Sequence, residues 1–372
     1  MHARKPSTLP GFALLLAGAL LAAIAHAQEV DHGQWIDLFD GDTLFGWTVI
    51  GDAGWQVADG ALLCESGSGG WLATTCQFTD FELDATVRVK PGASSGLVVR
   101  AGLEGHPSEN GTAVIPLSEA EDATPDWREI RVTALGNSVT ATVDGMPADV
   151  VGAGRARGYI GIQYHHNNEG RVEVSRMRLR PVHLTALFNG EDLSGWNVIP
   201  GRKSKFAVVD GALNITDGNG QIETAGLYKD FLVQLDIISN GDHLNSGVFF
   251  RGIPGVFWKG YESQVRNQWE GDDRTRPVDY GTGGIYGNQP ARKVIPSDGE
   301  WFNKTIVCEG NHMAVWINGY LVSDFTDTRP PVDDGNGKRG YVPDAGTIHL
   351  QGHDPTTDLS FKGINIQQYP ER

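Results

Sequence analysis

The sequence has few cysteines, and their spacing is unlike that of a metal site. Only Cys64, Cys76 and Cys308 are present, and no two of them have the short separation typical of zinc ligands. Cys64 and Cys76 lie on segments predicted to be consecutive strands. In an oxidising compartment, a disulfide between them is one alternative and two free thiols are the other. Cys308 stands in the alternating run 304–309, which predicts a small buried side chain.

Basic residues are also scarce. The chain carries 46 acidic and 30 basic residues, a formal net charge of −16, and its Lys and Arg residues form no cluster. A nucleic-acid partner is not expected, because phosphate contacts need a basic surface. No glycine-rich phosphate loop or tight His/Cys group predicts a cofactor. Structural calcium on the Asp pairs 272–273 or 333–334 is one alternative, and solvated acidic turns are the other. A neutral, hydroxyl-rich partner such as a carbohydrate suits this composition.

Long apolar runs are missing beyond the N-terminus. Arg4 and Lys5 precede an uncharged apolar run over 12–24, and small residues flank position 26. This pattern predicts a secretory signal peptide over residues 1–27, and therefore export. The run is shorter than the roughly 20 residues of a membrane span, although an uncleaved N-terminal anchor is the alternative. No later stretch is predicted to cross a membrane.

The chain contains an internal sequence repeat. The segment LFDGDTLFGW at 38–47 returns as LFNGEDLSGW at 187–196. Three further matches follow in the same order, pairing 57–62 with 208–213, 95–100 with 246–251, and 143–145 with 317–319. A repeat this long is a whole domain, since solenoid units have roughly 20–50 residues. The sequence therefore predicts two tandem domains, 28–181 and 182–372.

Each copy has the pattern of β-structure. Alternating apolar and polar runs such as 81–89, 130–134 and 231–237 end at Gly, Asn or Asp, which is typical of antiparallel strands. The 49 glycines and 18 prolines fit a fold with many turns, and no long amphipathic helix is visible. We therefore predict an all-β chain whose two copies are jelly-roll β-sandwiches, each made of two sheets.

The copies differ most after one matched arginine. The second copy has many more positions between Arg251 and Trp301 than the first has between Arg100 and Trp127, and the additional residues include several aromatics. Trp258, within this addition, is a candidate platform for a sugar ring. The tryptophans found in both copies are predicted to be core residues: Trp47, Trp127, Trp196 and Trp301.

Alternation predicts polar side chains on shared strand faces of the second copy. It groups Gly247 with Phe249 and Arg251, Glu262 with Gln264, and, if the strand stays extended, His349 with Gln351 and His353. A solvated sheet face is the alternative explanation of this pattern. The first copy has no equivalent of the segment YESQ at 261–264, so we expect it to be structural or carbohydrate-binding.

Four segments together resemble the 3-keto-disaccharide hydrolase domain family. They are LFNGEDLSGW at 187–196, SGVFFR at 246–251, YESQ at 261–264 and IHLQGH at 348–353. The resemblance is fuller over 187–372 than over 38–180. It implies tandem concanavalin A-like lectin/glucanase jelly rolls, export by a bacterium to the periplasm or the exterior, and action on sugars oxidised to a ketone at C3.

The resemblance also implies site residues. The family's arginine falls on Arg251, its acid on Glu262 and its late histidine on His353, and these are the candidate catalytic residues. Lys362 stands where relatives often carry an arginine, whose planar fork a lysine does not reproduce. The candidate substrate-binding residues are Gln264, Trp258, Tyr261, Gln351 and Lys362.

The chemistry implied by this family starts from the acidity of a proton. A ketone at C3 makes the C2 proton acidic, so a base can remove it while the glycosidic oxygen leaves C1, and water adds later. Glu262 and His353 are candidates for base and acid in either order, and Arg251 and Gln264 for holding the enolate or ring hydroxyls. Three alternatives remain: a lectin-like protein without activity, a secreted scaffold, and a two-carboxylate glycosidase pairing Glu262 with Glu270, Asp272 or Asp273. The sequence leaves the oligomeric state open.

Overall fold

The computed structural model describes residues 32–90, 92–104, 112–118, 126–152, 155–165 and 170–370. The predicted signal peptide, 1–27, lies outside these residues. Every regular element in the described ranges is a β-strand. None of their segments forms a helix long and apolar enough to cross a membrane.

The described part of the first half forms thirteen strands. They are β1 (Ile36–Asp37), β2 (Trp47–Ala53), β3 (Gln56–Ala58), β4 (Ala61–Cys64), β5 (Gly67–Phe78), β6 (Phe81–Val89), β7 (Ser94–Ala101), β8 (Ala113–Ser118), β9 (Arg128–Leu135), β10 (Ser138–Val143), β11 (Met146–Ala148), β12 (Gly158–Tyr164) and β13 (Val172–Pro181). An eight-stranded large sheet has the order β11-β10-β9-β6-β13-β4-β3, with β1 pairing β13. A five-stranded small sheet has the order β2-β5-β12-β7-β8.

The second half repeats this arrangement. Its strands are β14 (Thr185–Ala186), β15 (Trp196–Val198), β16 (Lys205–Val209), β17 (Ala212–Thr216), β18 (Gly220–Thr224), β19 (Phe231–Ser239), β20 (Ser246–Gly252), β21 (Tyr261–Val265), β22 (Phe302–Glu309), β23 (His312–Ile317), β24 (Tyr320–Thr326), β25 (Thr347–Gly352) and β26 (Asp358–Gln368). The large sheet has the order β16-β17-β26-β19-β22-β23-β24, with β14 pairing β26, and the small sheet has the order β15-β18-β25-β20-β21. The prediction of two tandem all-β jelly-roll sandwiches is confirmed.

Alternation along the strands builds a core between the two sheets of each sandwich. On β6, Phe81, Leu83, Ala85 and Val87 are buried while the residues between them are partly exposed. Apolar side chains at every second position can therefore pack on the facing sheet while the others face outward. The prediction that Trp47 and Trp196 are core residues is confirmed.

The same prediction is wrong for the other tryptophan pair. Trp301 is 41% exposed and precedes β22, and the ammonium of Lys362 lies 4.0 Å from its ring centre. Trp127 precedes β9, is half-buried, and has the Arg88 guanidinium 4.3 Å from its ring centre. Both rings therefore pack against a cationic side chain rather than inside a sandwich.

The cysteines are free thiols, so the disulfide alternative is wrong. Cys64 lies on β4 in the large sheet of the first sandwich, whereas Cys76 lies on β5 in the small sheet. The Cys76 sulfur is instead 3.7 Å from Nδ1 of His312, on the second sandwich. Cys308 is fully buried, which confirms the prediction for that residue.

The two sandwiches share a tightly bonded junction. The first core cluster continues into Leu232, Val307 and Trp316 of the second half. The Trp316 ring nitrogen also donates to the carbonyl oxygen of Asp37 at 3.0 Å, and Gln77 donates to Glu309 at 2.9 Å. The first sandwich thus packs against the large sheet of the second, and this contact leaves the opposite, small sheet of the second sandwich available for a site.

Candidate functional site

A polar layer covers the outer face of the small sheet in the second sandwich. Its inner face contributes apolar residues such as Val248, Phe250 and Leu350 to the core. Alternation directs the intervening side chains outward, where most are polar. The side chains that form this polar layer are almost completely buried. They are Gln221, Glu223, Glu262, Gln264, His349 and Gln351.

Glu262 is the acid at the centre of this layer. It lies on β21, where it pairs with Phe249 of β20, and only 4% of its surface is exposed. A Cβ atom at the neighbouring Gly247 would lie 2.5 Å from its carboxylate, so glycine leaves the room that Glu262 occupies. Burial raises the pKa of Glu262 to about 7, although the charges of Lys338 and His353 oppose the rise. The carboxyl group can therefore exchange a proton near neutral pH.

Lys338 is the partner of Glu262, and sequence reasoning missed it. Its ammonium nitrogen lies 3.3 Å from a carboxylate oxygen of Glu262. The same nitrogen is 3.6 Å from the ring centre of Trp258 and 3.9 Å from that of Tyr286. Two aromatic rings thus hold the cation over the acid. Lys338 stands in a glycine-rich loop without alternation, so no strand pattern could have placed it here.

Three amide atoms of the layer lack a hydrogen-bond partner among the described residues. They are Oε1 of Gln264, Oε1 of Gln351 and Nε2 of Gln221, and all three are buried. The other end of the Gln264 amide donates to Oδ2 and to the carbonyl oxygen of Asp279, both at 3.0 Å, which fixes its orientation. Buried polar atoms without a partner are costly unless a ligand or water satisfies them. The two Oε1 atoms are well suited to accept hydrogen bonds from hydroxyl groups.

The pair of Glu223 and His349 lies beside the loop that carries Trp258. Nε2 of His349 lies 3.2 Å from the carboxylate of Glu223. Glu223 accepts a hydrogen bond from the backbone NH of Gly255 at 2.8 Å, and Gln221 accepts one from the NH of Trp258 at 2.8 Å. The sheet thereby fixes the loop, and the loop places the Trp258 ring against Lys338.

The expectation that Arg251 shares a face with Gly247 and Phe249 is wrong. The pairing of β20 with β25 shifts between Phe249 and Gly252, and Arg251 has a φ of 53°, in the left-handed region. Its guanidinium donates to the carbonyl oxygens of Lys229 and Val342 and contacts Asp230, 3.2 Å away. The arginine is therefore engaged in structural contacts, and the structure does not bring it to Glu262.

Tyr261 and Lys362 also lie away from the polar layer. Tyr261 is a core residue whose hydroxyl donates to Asp327 at 2.7 Å and accepts from the NH of Val342 at 3.1 Å. Lys362 lies on β26 in the large sheet, against Trp301. Alternation explains the first result, since the neighbours of Glu262 on β21 must face the core.

His353 lies at the rim of the layer. The strand β25 ends at Gly352, so the alternation that would align His353 with His349 and Gln351 stops one residue early. The His353 side chain is 43% exposed, and its Nδ1 lies 2.8 Å from the carboxylate of Asp354. It still lies near enough to Glu262 for its charge to affect the pKa of that acid.

Two of the three acids that were candidate partners for Glu262 are engaged elsewhere. Glu270 is exposed and pairs with Arg276, and Asp273 accepts hydrogen bonds from Thr275. The acid that the structure places beside Gln264 is Asp279. Within the calcium candidates, the Asp334 carboxylate pairs with Lys259 at 3.1 Å.

One group among the described residues gathers three types of metal ligand. Cys76, His312 and Asp324 lie together at the junction of the sandwiches. However, Nε2 of His312 lies 2.6 Å from Asp324 while Nδ1 is directed to the Cys76 sulfur. One imidazole cannot direct both nitrogens at a single ion, so this geometry is that of a hydrogen-bonded chain across the junction.

A model of the 3-keto-alpha-glucoside-1,2-lyase-like domain family matches the chain twice, over residues 34–180 and 183–367. No curated protein matches the sequence. Among solved structures, a proposed glycosyl hydrolase from Parabacteroides distasonis shares 23% identity with a TM-score of 0.40, and the match covers 50% of this chain and 94% of that one. A carbohydrate-binding module from Bacillus subtilis shares 15% identity with a TM-score of 0.36, covering 49% and 99%.

Proposed function

The chain belongs to the 3-keto-alpha-glucoside-1,2-lyase-like domain family, and we propose from this that its second sandwich cleaves 3-keto-glycosides or 3-keto-disaccharides by elimination. Family membership confirms the resemblance found in the sequence and supports a carbohydrate-related function. The observation that carries the proposal is the buried Glu262 carboxyl, with a pKa raised to about 7 and a lysine ammonium beside it. We also propose that the protein is exported, on the basis of the signal-peptide pattern.

In the proposed reaction, the carboxylate of Glu262 removes the C2 proton of a sugar that carries a ketone at C3. The electron pair of the broken C–H bond moves toward the ketone oxygen and forms an enolate, and the Lys338 ammonium next to Glu262 stabilises that negative charge. The enolate then collapses, a double bond forms between C1 and C2, and the C1–oxygen bond breaks. A base with a pKa near the working pH is effective in such a step.

The leaving oxygen needs a proton, for which His353 is the candidate. It lies at the rim of the polar layer, with a carboxylate oxygen of Asp354 2.8 Å from Nδ1, so the carboxylate can orient the ring. We assign Glu262 as base and His353 as acid. Subsequent addition of water across the new double bond returns a proton to C2, places hydroxyl on C1 and completes net hydrolysis.

Substrate hydroxyls have acceptors in the same layer. The unpartnered Oε1 atoms of Gln264 and Gln351 can accept hydrogen bonds from the sugar, which would relieve the cost of their burial. The Trp258 ring is 44% exposed and offers a flat surface for the sugar C–H face. Arg251, engaged with backbone carbonyls, has no step in this reaction.

The test compares a prepared 4-nitrophenyl 3-keto-α-glucoside with its unoxidised parent. We expect release of nitrophenol from the keto form alone, and, in D₂O, deuterium at C2 of the product. Glu262→Gln should lower turnover roughly 10³-fold, the scale of a lost general base. Glu270→Gln, the same change at an exposed acid of the same sandwich, should leave turnover unchanged. Saturable oligosaccharide binding without release from either compound would replace this proposal with the lectin-like alternative.

A further inference from the structure

Lys304 is completely buried inside the second sandwich, on β22 of the large sheet. Lysine is almost never fully buried unless its ammonium finds partners. Its nitrogen donates to the carbonyl oxygen of Ser263 at 3.0 Å, to Oγ of Ser263 at 3.1 Å and to the carbonyl oxygen of Gln264 at 2.8 Å. Three acceptors match the three N–H groups of an ammonium.

These acceptors belong to the strand that presents the candidate site. Glu262 and Gln264 point outward from β21, while Ser263 between them points inward to Lys304. The carbonyl oxygen of Gln264 also accepts from the NH of Gly283 at 2.9 Å, so two donors hold it. The lysine therefore crosses the core to fix β21 from its inner side, directly behind the polar layer.

The first sandwich has no amine at the equivalent position. Lys304 pairs with Ile317 on β23, and Ile130 of the first sandwich pairs with Val143 on β10. Because Val143-Asp-Gly and Ile317-Asn-Gly are matched segments of the repeat, Ile130 is the counterpart of Lys304. It is a buried core residue.

The first sandwich also lacks the acid. Glu262 pairs with Phe249, and in the matched strand Val98 pairs with Val114, so Val114 is the counterpart of Glu262. Both the acid and the amine behind it are thus present in one sandwich and replaced by apolar residues in the other. Their joint presence associates Lys304 with the site rather than with the fold that the two sandwiches share.

A contribution to stability does not explain the amine. Burial lowers the pKa of Lys304 to about 7, with the charge of Glu262 opposing the fall. Replacing buried polar or charged groups by apolar residues of similar volume is often neutral or stabilising, and Ile130 shows that the fold accepts an apolar side chain here. The fold that the two sandwiches share therefore does not require an amine at this position.

We infer that Lys304 is a positioning residue of the Glu262 site. From the inner side of β21 it holds the strand segment that presents Glu262 and Gln264. The charge of Glu262 raises the pKa of Lys304, and by reciprocity the ammonium favours the carboxylate form of Glu262. The other charged groups that act on Glu262 are Lys338, His353 and Asp279. The effect on turnover rests on the proposed function, whereas the effect on Glu262 ionisation does not.

The first experiment titrates Glu262 directly. Carboxyl groups of ¹³C-labelled glutamate are followed by NMR from pH 4 to 10, and the Glu262 signal is identified by its loss in Glu262→Gln. In Lys304→Met, removal of a positive charge should raise the Glu262 midpoint, by less than the rise in Lys338→Met, because Lys338 is the largest charge that acts on Glu262. The melting temperature should be unchanged or higher. Ile130→Met, the same residue introduced at the equivalent position of the first sandwich, should leave the Glu262 midpoint where it is.

A reciprocal measurement keeps the test independent of whether Lys304→Met folds. Charge coupling acts in both directions, so the Lys304 side chain, followed by its ¹³Cε shift, should titrate at lower pH in Glu262→Gln than in the wild type. Unchanged midpoints in these measurements would overturn the inference, even if keto-glycosides are cleaved. Shifted midpoints without any cleavage would leave it standing and reject the proposed function instead.

Discussion

The two sandwiches have the same strand order but opposite chemistry on the outer face of the small sheet. In the second sandwich this face carries a buried acid, amides and a histidine. In the first it carries a small apolar cluster of Trp71, Ala73, Val98 and Ala101, against which Ile50 and Tyr159 pack. One jelly-roll scaffold thus supports both a polar site and an apolar surface, so fold alone does not assign function.

Strand register shows how the polar face is replaced. Trp71 pairs with Gln163 as Gln221 pairs with Gln351, so Trp71 stands where the second sandwich has Gln221. By the same register, Gly161 stands where His349 lies. A Cβ at Gly161 would lie 2.1 Å from the Leu72 carbonyl oxygen and 2.6 Å from the Trp71 ring, so the backbone and the indole together exclude any side chain there. The first sandwich has therefore filled its site with a tryptophan.

A buried arginine is what the two sandwiches share near this face. Arg100 has a φ of 55°, donates to the carbonyl oxygen of Thr79 at 2.7 Å and pairs with Asp80 at 2.9 Å. Arg251 makes the equivalent contacts with Lys229 and Asp230. A residue that has the same geometry with and without the polar site belongs to the fold.

The largest effect that we expect is the loss of stability when either buried arginine is replaced, and it should be equal in the two sandwiches. Arg100→Met and Arg251→Met each leave an aspartate and several carbonyl oxygens without their buried partner, and each should lower the free energy of unfolding by about 3–5 kcal/mol. Urea denaturation followed by tryptophan fluorescence measures this loss. Folded Arg251→Met should retain turnover of the 3-keto-glycoside. A stable but inactive Arg251→Met would break the comparison and restore the catalytic role implied by the family.

The second prediction concerns Lys338 and therefore only the second sandwich. Lys338→Met removes the cation beside Glu262, so the protonated acid is favoured and the pKa of Glu262 rises from about 7 by about one unit. A base must be ionised, so the acidic limb of the pH–rate profile should move to higher pH by the same amount. Activity should also fall roughly 10²-fold across the profile, because the ammonium that stabilises the enolate is lost. Profiles of kcat/KM from pH 5 to 9 measure the shift.

Lys259→Met is the matched control for that profile. Lys259 pairs with Asp334, 3.1 Å away, rather than with Glu262. Its replacement should leave the acidic limb in place. A profile for Lys338→Met that overlays the wild type would show that the ion pair with Glu262 does not control proton transfer.

The fold follows from the sequence wherever strands are regular. The repeat and its alternating runs predict two sandwiches, and on β21 the same alternation places Glu262 and Gln264 outward and Tyr261 in the core. These inferences succeed because side-chain direction in an uninterrupted strand depends only on residue parity. In the polar layer, this reasoning finds Glu262, Gln264, His349 and Gln351, but not Gln221 or Glu223.

The rest depends on contacts that parity does not encode. A bulge with positive φ turns Arg251 away from the face that its position predicts, and β25 ends before it reaches His353. Lys338 reaches Glu262 from a loop, where no periodic signal exists. Lys304 lies at an inward position of a regular strand, and only the structure shows that its ammonium donates hydrogen bonds to the carbonyl oxygens of Ser263 and Gln264.

The smallest effect compares two exposed tryptophans of the second sandwich. Trp258 and Trp301 are 44% and 41% exposed, and each has a lysine ammonium within 4.0 Å of its ring centre. They differ in position, since Trp258 borders the polar layer and Trp301 precedes β22 of the large sheet. Trp258→Ala should raise KM for the 3-keto-glycoside by about five- to tenfold, because a stacking surface worth roughly 1 kcal/mol is lost.

Trp301→Ala should leave KM for the 3-keto-glycoside unchanged. Both variants should lower the free energy of unfolding by a similar, small amount. Steady-state kinetics and thermal unfolding of both variants give the comparison directly. Equal KM values for the two variants would mean that the Trp258 ring does not contact the sugar. The substrate would then be held only by the amides and charges of the sheet face, and Trp258 would serve to keep Lys338 over Glu262.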